Sequence, residues 1–357
     1  MIIRSSLSDI SRAIHRYTCR GLLGVTPWEG KEMMTETTAP THPLAAVVPT
    51  PWQVIALANG KGGVGKTSIT ANLAGLYGQG GFKVLLVELD PQGNLARDFG
   101  LPVAEYESIN DLIDSNGSQH AAALMLTNDS AQPPLYENVR PNVDLIAGGG
   151  ELQRIFNYFG SNPRESLAAA IRREILRLNR AYDLVLIDAP PIDLTALEAI
   201  LQVAGTVIIP VRADDASIDG LSTIAGQFGP AQLENPALRL GGVVRFGLGS
   251  RSTRVAERVQ STIEEILGGV APIFDSIVRH SDSGGYEARR HGLLAHELES
   301  ASSEAKGKRL AALKTGAKLS GDVVGTGTGT SRGLAEDYEN LAAEVLSRVN
   351  ELISENS

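Results

Sequence analysis

A glycine-rich loop with two lysines, residues 60–68 (GKGGVGKTS), constrains the fold of this chain more than any other feature. It follows an apolar run, Val54 to Ala58, and precedes a segment with helical character, Ser68 to Leu76. Glycine adopts positive φ without steric cost, so the N–H groups of such a loop can point at an anion beside the positive end of the following helix. The pattern G-x-x-x-x-G-K-[ST] in this strand-loop-helix setting predicts a nucleotide phosphate site.

The pattern gives two loop residues separate chemical tasks. Lys66 is expected to reach the terminal phosphates, and the Thr67 hydroxyl is expected to be a ligand of Mg²⁺, which neutralises charge on the phosphoryl oxygens. The predicted nucleotide-binding residues are Gly60, Lys61, Gly62, Gly63, Val64, Gly65, Lys66, Thr67 and Ser68.

The first lysine of the loop, Lys61, stands five positions before Lys66. The string KGGVGKT resembles the deviant Walker A box of the ParA/MinD family of dimeric P-loop ATPases. In that family the early lysine crosses the dimer interface to the partner's ATP. The resemblance therefore implies ATP as the nucleotide, a homodimer in the ATP state, and catalytic functions for both Lys61 and Lys66, with Lys61 supplying positive charge in trans.

A second motif follows the next strand-like run, Val84 to Leu89. Asp90 to Asn94 read DPQGN, which resembles switch I of ParA-type partition proteins, whereas MinD-like relatives carry a different sequence there. The resemblance implies that Asp90 is needed for hydrolysis, so we predict that it orients or polarises the attacking water. Glu88 stands where the family often has Asp, which keeps the charge.

A third motif is the apolar run Leu184 to Ile187 that ends in Asp188. It is typical of a Walker B strand, whose acid holds Mg²⁺ directly or through a water. We therefore predict Thr67 and Asp188 as the metal ligands. Asp188, Ala189, Pro190 and Pro191 together resemble the family's switch II, which couples the nucleotide state to the dimer surface.

Hydrophobic, non-alternating runs between these motifs predict further strands. They lie near 143–147, 205–211, 240–246 and 270–278. Because such runs alternate with helix-like stretches, we predict an α/β fold, with a doubly wound, mostly parallel sheet covered by helices on both faces. The resemblance implies a P-loop NTPase of the deviant Walker A type.

Composition divides the chain into four segments. Residues 1–51 are an N-terminal extension with a basic amphipathic segment and a Thr/Pro-rich linker, and 52–299 are the P-loop ATPase domain. Residues 300–333 are expected to be a basic, Gly-rich flexible insertion, and 334–357 a C-terminal helix packed on the ATPase domain. The extension is compatible with contact to a membrane surface, DNA, a partner protein or the core, and Met33 and Met34 offer later translation starts.

The net charge of −9 excludes a chain that is basic throughout, but local basic patches can still bind DNA phosphates. The candidates for DNA contact are Arg251, Arg279, Arg289, Arg290, Lys306, Lys308 and Arg309, and solvated surface charges are the alternative reading. Arg289 stands where the family has proline. Cys19 is the single cysteine, which excludes an intramolecular disulfide. No apolar run approaches the ~20 residues of a membrane span, so we expect a cytoplasmic, nucleoid-associated protein without membrane association.

The resemblance implies a Mg²⁺-dependent ATP hydrolase with slow turnover that a partner stimulates. Its implied function is plasmid or chromosome partitioning through binding to non-specific double-stranded DNA in the ATP state and release on hydrolysis, with a ParB-like centromere-binding protein as the partner. Two alternatives stay open. One is a MinD-like ATPase that positions a complex at the membrane, and the other is a nucleotide-gated adaptor or regulator with little hydrolysis.

Overall fold

The computed structural model describes residues 53–101, 135–162, 166–178, 182–191, 193–248, 253–268, 272–279, 281–315 and 330–355. The predicted basic amphipathic segment and linker, residues 1–51, therefore lie outside the described residues.

Strands in the described part of the chain form one eight-stranded sheet. They are β1 (Val54–Leu57), β2 (Val84–Glu88), β3 (Tyr136–Arg140), β4 (Val143–Ile146), β5 (Leu184–Asp188), β6 (Thr206–Val211), β7 (Arg239–Leu248) and β8 (Ile273–Arg279). Their order is β3-β4-β2-β5-β1-β6-β7-β8, and every neighbouring pair is parallel except β3 with β4. The predicted mostly parallel sheet is confirmed.

The antiparallel edge strand β3 is not indicated by the hydrophobic pattern. Its five residues, YENVR, are partly or fully exposed, so no apolar run marks them. A two-residue turn, Pro141 and Asn142, connects β3 to β4. Asn142 has a φ of 62°, in the left-handed region that asparagine tolerates better than most residues, and its side chain donates to Gly78 O at 3.0 Å.

Helices cover both faces of the sheet. They are α1 (Lys66–Gln79), α2 (Asn94–Asp98), α3 (Glu151–Ser161), α4 (Leu167–Leu178), α5 (Leu194–Val203), α6 (Asp215–Glu234), α7 (Thr253–Leu267), α8 (Asp282–His291), α9 (Ala295–Thr315) and α10 (Thr330–Ser354). Among these described helices, none is both long and apolar enough to pass through a bilayer.

The central strands β1, β2, β5 and β6 are buried along their whole length because helices pack on both sides. Alternate side chains contribute to two cores. One lies under α3 to α7 and includes Phe156, Ile171 and Ile200, and the other lies under α1 and α10 and includes Leu73 and Leu341. Since parallel strands end at the same edge of a sheet, the segments after β1, β2, β5 and β6 meet there.

The acidic C-terminal helix α10 covers the open edge of β8. The N–H groups of Asp275 and Ser276 donate to the Glu344 carboxylate at 2.8 and 2.9 Å, and the N–H of Arg279 donates to Asp337 at 2.9 Å. An edge strand otherwise leaves backbone donors unpaired and open to association with other chains. Two acids of α10 thus take acceptor positions that a further strand would supply.

The segment predicted as a flexible insertion, 300–333, differs in its first half. Helix α9 continues through it to Thr315, with Leu298, Ser302 and Ala305 buried. Residues 295–315 are rich in Ala, Glu, Lys and Leu, which are strong helix formers, whereas the glycines that suggested flexibility are concentrated in 321–333. Residues 316–329 lie outside the described part of the chain.

Candidate functional site

The three sequence motifs meet at the carboxyl edge of the sheet. In the parallel register, Leu57 of β1 lies opposite Asp188 of β5, and Glu88 of β2 lies opposite the same Asp188. The loop that follows β1, the acid that ends β5 and Asp90 after β2 are therefore neighbours. On the other side of β1, β6 brings its own following residues to this edge.

The loop between β1 and α1 is held from the β6 side by Asn59. Its amide nitrogen donates to Pro210 O at 2.7 Å, and its Oδ1 accepts from the N–H of Lys61 at 2.8 Å. A Cβ added to Gly220 would come within 2.0 Å of that Oδ1, so the close approach of α6 requires glycine there. Sequence reasoning missed Asn59, which precedes the motif and finds a partner 151 positions away.

Two glycines with positive φ shape the loop. Gly63 has a φ of 75° and Gly65 a φ of 94°, both in the left-handed region. A Cβ added to Gly65 would lie 2.5 Å from the ring of Phe246 in β7, whereas one added to Gly63 would meet nothing within 4 Å. The loop is therefore packed against β7 at its end and open at its middle.

Lys66 points into the curve of this loop. It is 5% exposed, and its Nζ donates to Lys61 O at 2.8 Å and Asn59 O at 3.2 Å. Burial lowers the pKa of Lys66, and the charges of Asp188 and Asp90 oppose that shift. The ammonium group is thus held against the loop backbone, within electrostatic reach of two carboxylates.

Asp188 and Thr67 form a pair that suits a magnesium ion. The Thr67 hydroxyl donates to Asp188 Oδ2 at 2.7 Å. Asp188 Oδ1 is buried and has no hydrogen-bond partner among the described residues. A buried carboxylate oxygen without a partner is unfavourable, and Mg²⁺ prefers one or two carboxylate or hydroxyl oxygens completed by phosphate and water. The donor set therefore fits the predicted metal.

Acids around Asp188 are held in an environment that opposes their charge. Burial and the nearby Glu88 raise the pKa of Asp188 well above its usual range, although the Thr67 hydrogen bond and Lys66 counteract this. In the described part of the chain there is no cluster of three or more His, Cys, Asp or Glu arranged for a metal. A cation beside Asp188 would relieve the burial of negative charge.

Glu88 connects two segments behind the loop. Its carboxylate accepts from the N–H of Leu95 at 2.6 Å and from that of Gly148 at 2.9 Å. Burial raises its pKa to about 7. A Cβ added to Gly148 would lie 2.4 Å from Asp90 O and 2.8 Å from Glu88 Cγ, so this position just after β4 requires glycine. Glu88 is therefore a structural anchor for the start of α2.

Asp90 begins the segment that resembles switch I. It is 6% exposed, its Oδ1 accepts from the N–H of Gln92 at 2.9 Å, and its carbonyl accepts from Gly93 at 3.2 Å. Burial raises the pKa of Asp90, and the Gln92 bond and the charge of Lys66 oppose the shift. The carboxylate thus belongs to the same electrostatic group as Lys66 and Asp188.

The segment that resembles switch II lies against the loop. The N–H of Ala189 donates to Leu57 O at 3.2 Å, which continues the β5–β1 pairing beyond Asp188. A Cβ on Gly62 would lie 3.8 Å from the Cβ of Pro191, so Pro191 is next to the loop glycines. Asp193 then caps α5 by accepting from the N–H of Ala196 at 2.9 Å.

The side chain of Lys61 is paired with the acid that precedes α6. Its Nζ makes an ion pair with Asp214 Oδ1 at 2.5 Å, and its side chain is 34% exposed. Asp214 also caps α6 by accepting from the N–H of Ser217 at 2.9 Å. Partial burial works against ionisation of Asp214, but hydrogen bonds from Lys61 and Ser217 lower its pKa below the usual value. Sequence reasoning did not identify Asp214, which is 153 positions from its partner.

The arginines considered for DNA contact have protein partners where their side chains are described. Arg279 makes a bidentate ion pair with Asp337, in which Nε donates to Oδ2 and Nη2 to Oδ1, each at 2.6 Å. Arg289 pairs with Asp98 at 2.8 Å and is about half exposed. Arg290 and Lys306 are exposed. Arg251 and the side chains of Lys308 and Arg309 lie outside the described part.

Comparisons with known proteins agree with this geometry. A family model described as an AAA domain matches residues 52–240, more than half of the chain. The chromosome partitioning protein ParA of Caulobacter vibrioides is 27% identical over 71% of this chain and 91% of its own length. The chromosome-partitioning ATPase Soj of Thermus thermophilus is 32% identical over 60% of this chain and 76% of its own length.

Among solved structures, apo McdA of Cyanothece superposes with a TM-score of 0.60 at 18% identity, covering 82% of this chain and 99% of that one. At that identity the likeness supports the fold alone. The family model, the partition relatives and the arrangement of the loop, Asp90 and Asp188 lead to one assignment: the chain belongs to the ParA/MinD type of P-loop ATPases within the AAA-domain family.

Proposed function

We propose that this protein is an ATP-dependent dimerising switch for DNA segregation, which binds non-specific double-stranded DNA in the ATP state and releases it on hydrolysis. One observation carries the proposal. The two lysines of a single loop have different partners: Lys66 donates to the loop backbone, whereas the partly exposed Lys61 pairs with Asp214 at the start of α6. A lysine that lies outside its own phosphate site, yet in the same loop, suits action on the nucleotide of a second copy.

The chemistry is attack of water on the γ-phosphate of ATP. Lys66 holds the terminal phosphates in its own subunit, and Lys61 of the partner subunit adds positive charge as the transition state forms. Thr67 and Asp188 hold Mg²⁺, which supplies charge neutralisation at the phosphate oxygens when bound. Asp90 lies close enough to Lys66 for their charges to interact, and in this scheme it orients the attacking water.

Turnover is expected to be slow without a partner. A rate of about 0.01 per second corresponds to a barrier of about 20 kcal/mol, so a stimulating protein has several kcal/mol to remove. We propose that the protein that stimulates hydrolysis is a ParB-like centromere-binding protein, because this chain resembles ParA-type partition ATPases. The cargo is then a plasmid or chromosome, and the ATP state is associated with the nucleoid.

The DNA contact is proposed to use exposed basic residues on α8 and α9. Lys306 is exposed and begins the basic half of α9, which also carries Lys308, Arg309 and Lys314. Arg290 is exposed on α8. Arg279 is a weaker candidate because Asp337 neutralises its charge and the pair fixes α10. Contacts of exposed Lys and Arg to phosphates predict binding that weakens steeply with salt.

The test uses purified Asp90→Ala protein, which should bind ATP without hydrolysing it. Retention on a random duplex is compared in ATP and ADP across a salt series, with the dimer followed by light scattering. We expect ATP alone to give a dimer and salt-sensitive DNA retention. Lys61→Ala should lose the ATP-dependent dimer and, with it, the DNA retention. Lys83→Ala is the matched control, because Lys83 is an exposed lysine at the amino end of β2.

Other outcomes would favour the other two functions. An ATP-dependent dimer that binds anionic vesicles but not DNA would support a MinD-like positioning ATPase. An Asp90→Ala protein that keeps full function in cells would support a nucleotide-gated adaptor, because such a protein does not depend on hydrolysis. A protein that neither dimerises nor binds DNA in ATP would contradict the proposed use of Lys61.

A further inference from the structure

A cavity of about 580 Å³ opens beside the phosphate loop. At the loop end it is lined by Ser68 in the first turn of α1, Arg212 just after β6, and Phe246 in β7. Helix α8 supplies much of the opposite wall. Because Ser68 directly follows the predicted metal ligand Thr67, the cavity begins where a phosphate chain held by the loop would leave it.

Arg212 lines this cavity and contacts the loop itself. Its Nη1 donates to Gly63 O at 3.2 Å. On the other side the guanidinium lies against Gly247, where an added Cβ would be 3.2 Å from Nε and 3.6 Å from Cζ. Gly247 has a φ of 75°, so the backbone there favours glycine and leaves room for the arginine.

Arg212 differs from two other arginines around the cavity in how its charge is paired. Arg279 and Arg289 also line it, but each is paired with a carboxylate, Asp337 and Asp98 respectively. Among the described residues, the structure gives Arg212 a contact with the Gly63 carbonyl and no ion pair. A partly exposed guanidinium next to a phosphate loop, with most of its donors still available, suits an anionic ligand.

We propose that Arg212 is a nucleotide-binding residue that contacts the α-phosphate of the nucleotide held by the loop of the same subunit. Lys66 and Thr67 act at the terminal phosphates, so a cation on the cavity side meets the phosphate nearest the nucleoside. Arg212 is therefore a second cation of the site, supplied by the segment after β6 and not by the loop. This inference rests on the proposed nucleotide binding, and it adds a residue that none of the sequence motifs contains.

Two substitutions separate charge from structural support. Arg212→Gln keeps an amide donor for Gly63 O and removes the charge, whereas Arg212→Lys keeps the charge. Dissociation constants for fluorescent ATP and ADP analogues are measured on the full chain with Mg²⁺. We expect Arg212→Gln to weaken both nucleotides by about tenfold, to a similar extent because both carry an α-phosphate, and Arg212→Lys to stay within about threefold of the wild type.

The matched control is Arg172→Gln, an exposed arginine on α4 that also donates to a backbone carbonyl, that of Gln202, far from the loop. It should leave both constants unchanged. If Arg212→Gln binds both nucleotides as the wild type does, Arg212 only supports the loop and the inference is wrong. If ADP binding is normal and only the ATP dimer is impaired, Arg212 acts in trans, which also overturns it. If the wild type binds neither nucleotide, the proposed function fails first.

Discussion

The two flanks of the phosphate loop are built on different physical principles. On the β2–β5 side, which we call the acidic flank, Glu88, Asp90 and Asp188 are buried and the pKa of each is raised. On the β6 side, the cationic flank, Lys61 and Arg212 are partly exposed, and Asp214 has a lowered pKa because hydrogen bonds favour its charged form. The acidic flank holds three buried carboxylates around one lysine, Lys66, and the cationic flank presents positive charge to its surroundings.

The difference indicates how such a site divides its tasks. The acidic flank is fixed by packing and awaits a cation, since Asp188 Oδ1 has no partner among the described residues. The cationic flank is held by contacts that are easy to exchange, because an exposed ion pair contributes under about 1 kcal/mol. The first flank is suited to hold Mg²⁺ within one subunit, and the second to release Lys61 to another.

The largest expected effect is on the acidic flank. Asp188→Asn keeps the shape but removes the charge that faces the metal, so we expect hydrolysis to fall at least about 100-fold and the Mg²⁺-dependent gain in ATP affinity to disappear. The measurement is steady-state phosphate release with and without Mg²⁺. Asp183→Asn, at the opposite end of β5, is the control and should behave as the wild type. Retained hydrolysis would remove Asp188 from the metal site.

On the cationic flank, Lys61→Gln should lower hydrolysis by about 100-fold, because a donor that acts on the transition state is lost. Binding of ADP to the monomer should change little, since the Lys61 side chain pairs with Asp214 and Lys66 is the lysine held inside the loop. The sharper test mixes Lys61→Gln and Asp90→Ala chains, each inactive alone. A trans lysine predicts about a quarter of the wild-type activity in a 1:1 mixture, because half of the dimers hold one complete site. No recovery would indicate a cis lysine.

The burial of Glu88 predicts a pH-dependent stability. Its folded pKa of about 7 lies above the ordinary 4.5, so the folded state binds the proton more tightly, and stability is lost as pH rises from 4.5 through 7. The loss attributable to Glu88 is about 3 kcal/mol. Urea unfolding without nucleotide or metal should therefore show a steeper decline in the wild type than in Glu88→Gln. Asp90 and Asp188 keep part of the slope, and equal slopes in the two proteins would contradict the assignment.

The smallest effect is expected from releasing Lys61. Asp214→Asn removes the ion pair but keeps a side chain that can cap α6. Dimerisation in ATP should then occur at about two- to fivefold lower concentration, since the exposed pair contributes under about 1 kcal/mol. Sedimentation across a concentration series measures it. Asp219→Asn, exposed on the same helix, is the control. A weaker dimer in Asp214→Asn would mean that the pair supports the dimer instead.

Much of the fold follows from local patterns. The four apolar runs expected to form further strands correspond to β4, β6, β7 and β8, and the C-terminal helix expected within 334–357 corresponds to α10. Such runs can be recognised in the sequence because fully buried parallel strands are apolar on both faces. Strand β3 lacks this signal since it is a polar edge strand. Helix α9 occupies the first half of the segment expected to be a flexible insertion, because strong helix formers fill 295–315 and the glycine repeat lies further along the chain.

Within the site, the sequence by itself determined the phosphate loop, the two lysines, Asp90 and Asp188, because these lie in short strings whose spacing and glycine content dictate the local backbone. Tertiary structure alone decided where each charge points. Asp214 and Arg212 contact the loop from positions about 150 residues away, and Asn59 joins the start of the loop to Pro210 across 151 positions. Glu344 and Asp337 meet β8 from the end of the chain, across 69 and 58 positions. Contacts between distant segments depend on the register of the sheet and on the packing of its helices, and a short sequence motif determines neither of these.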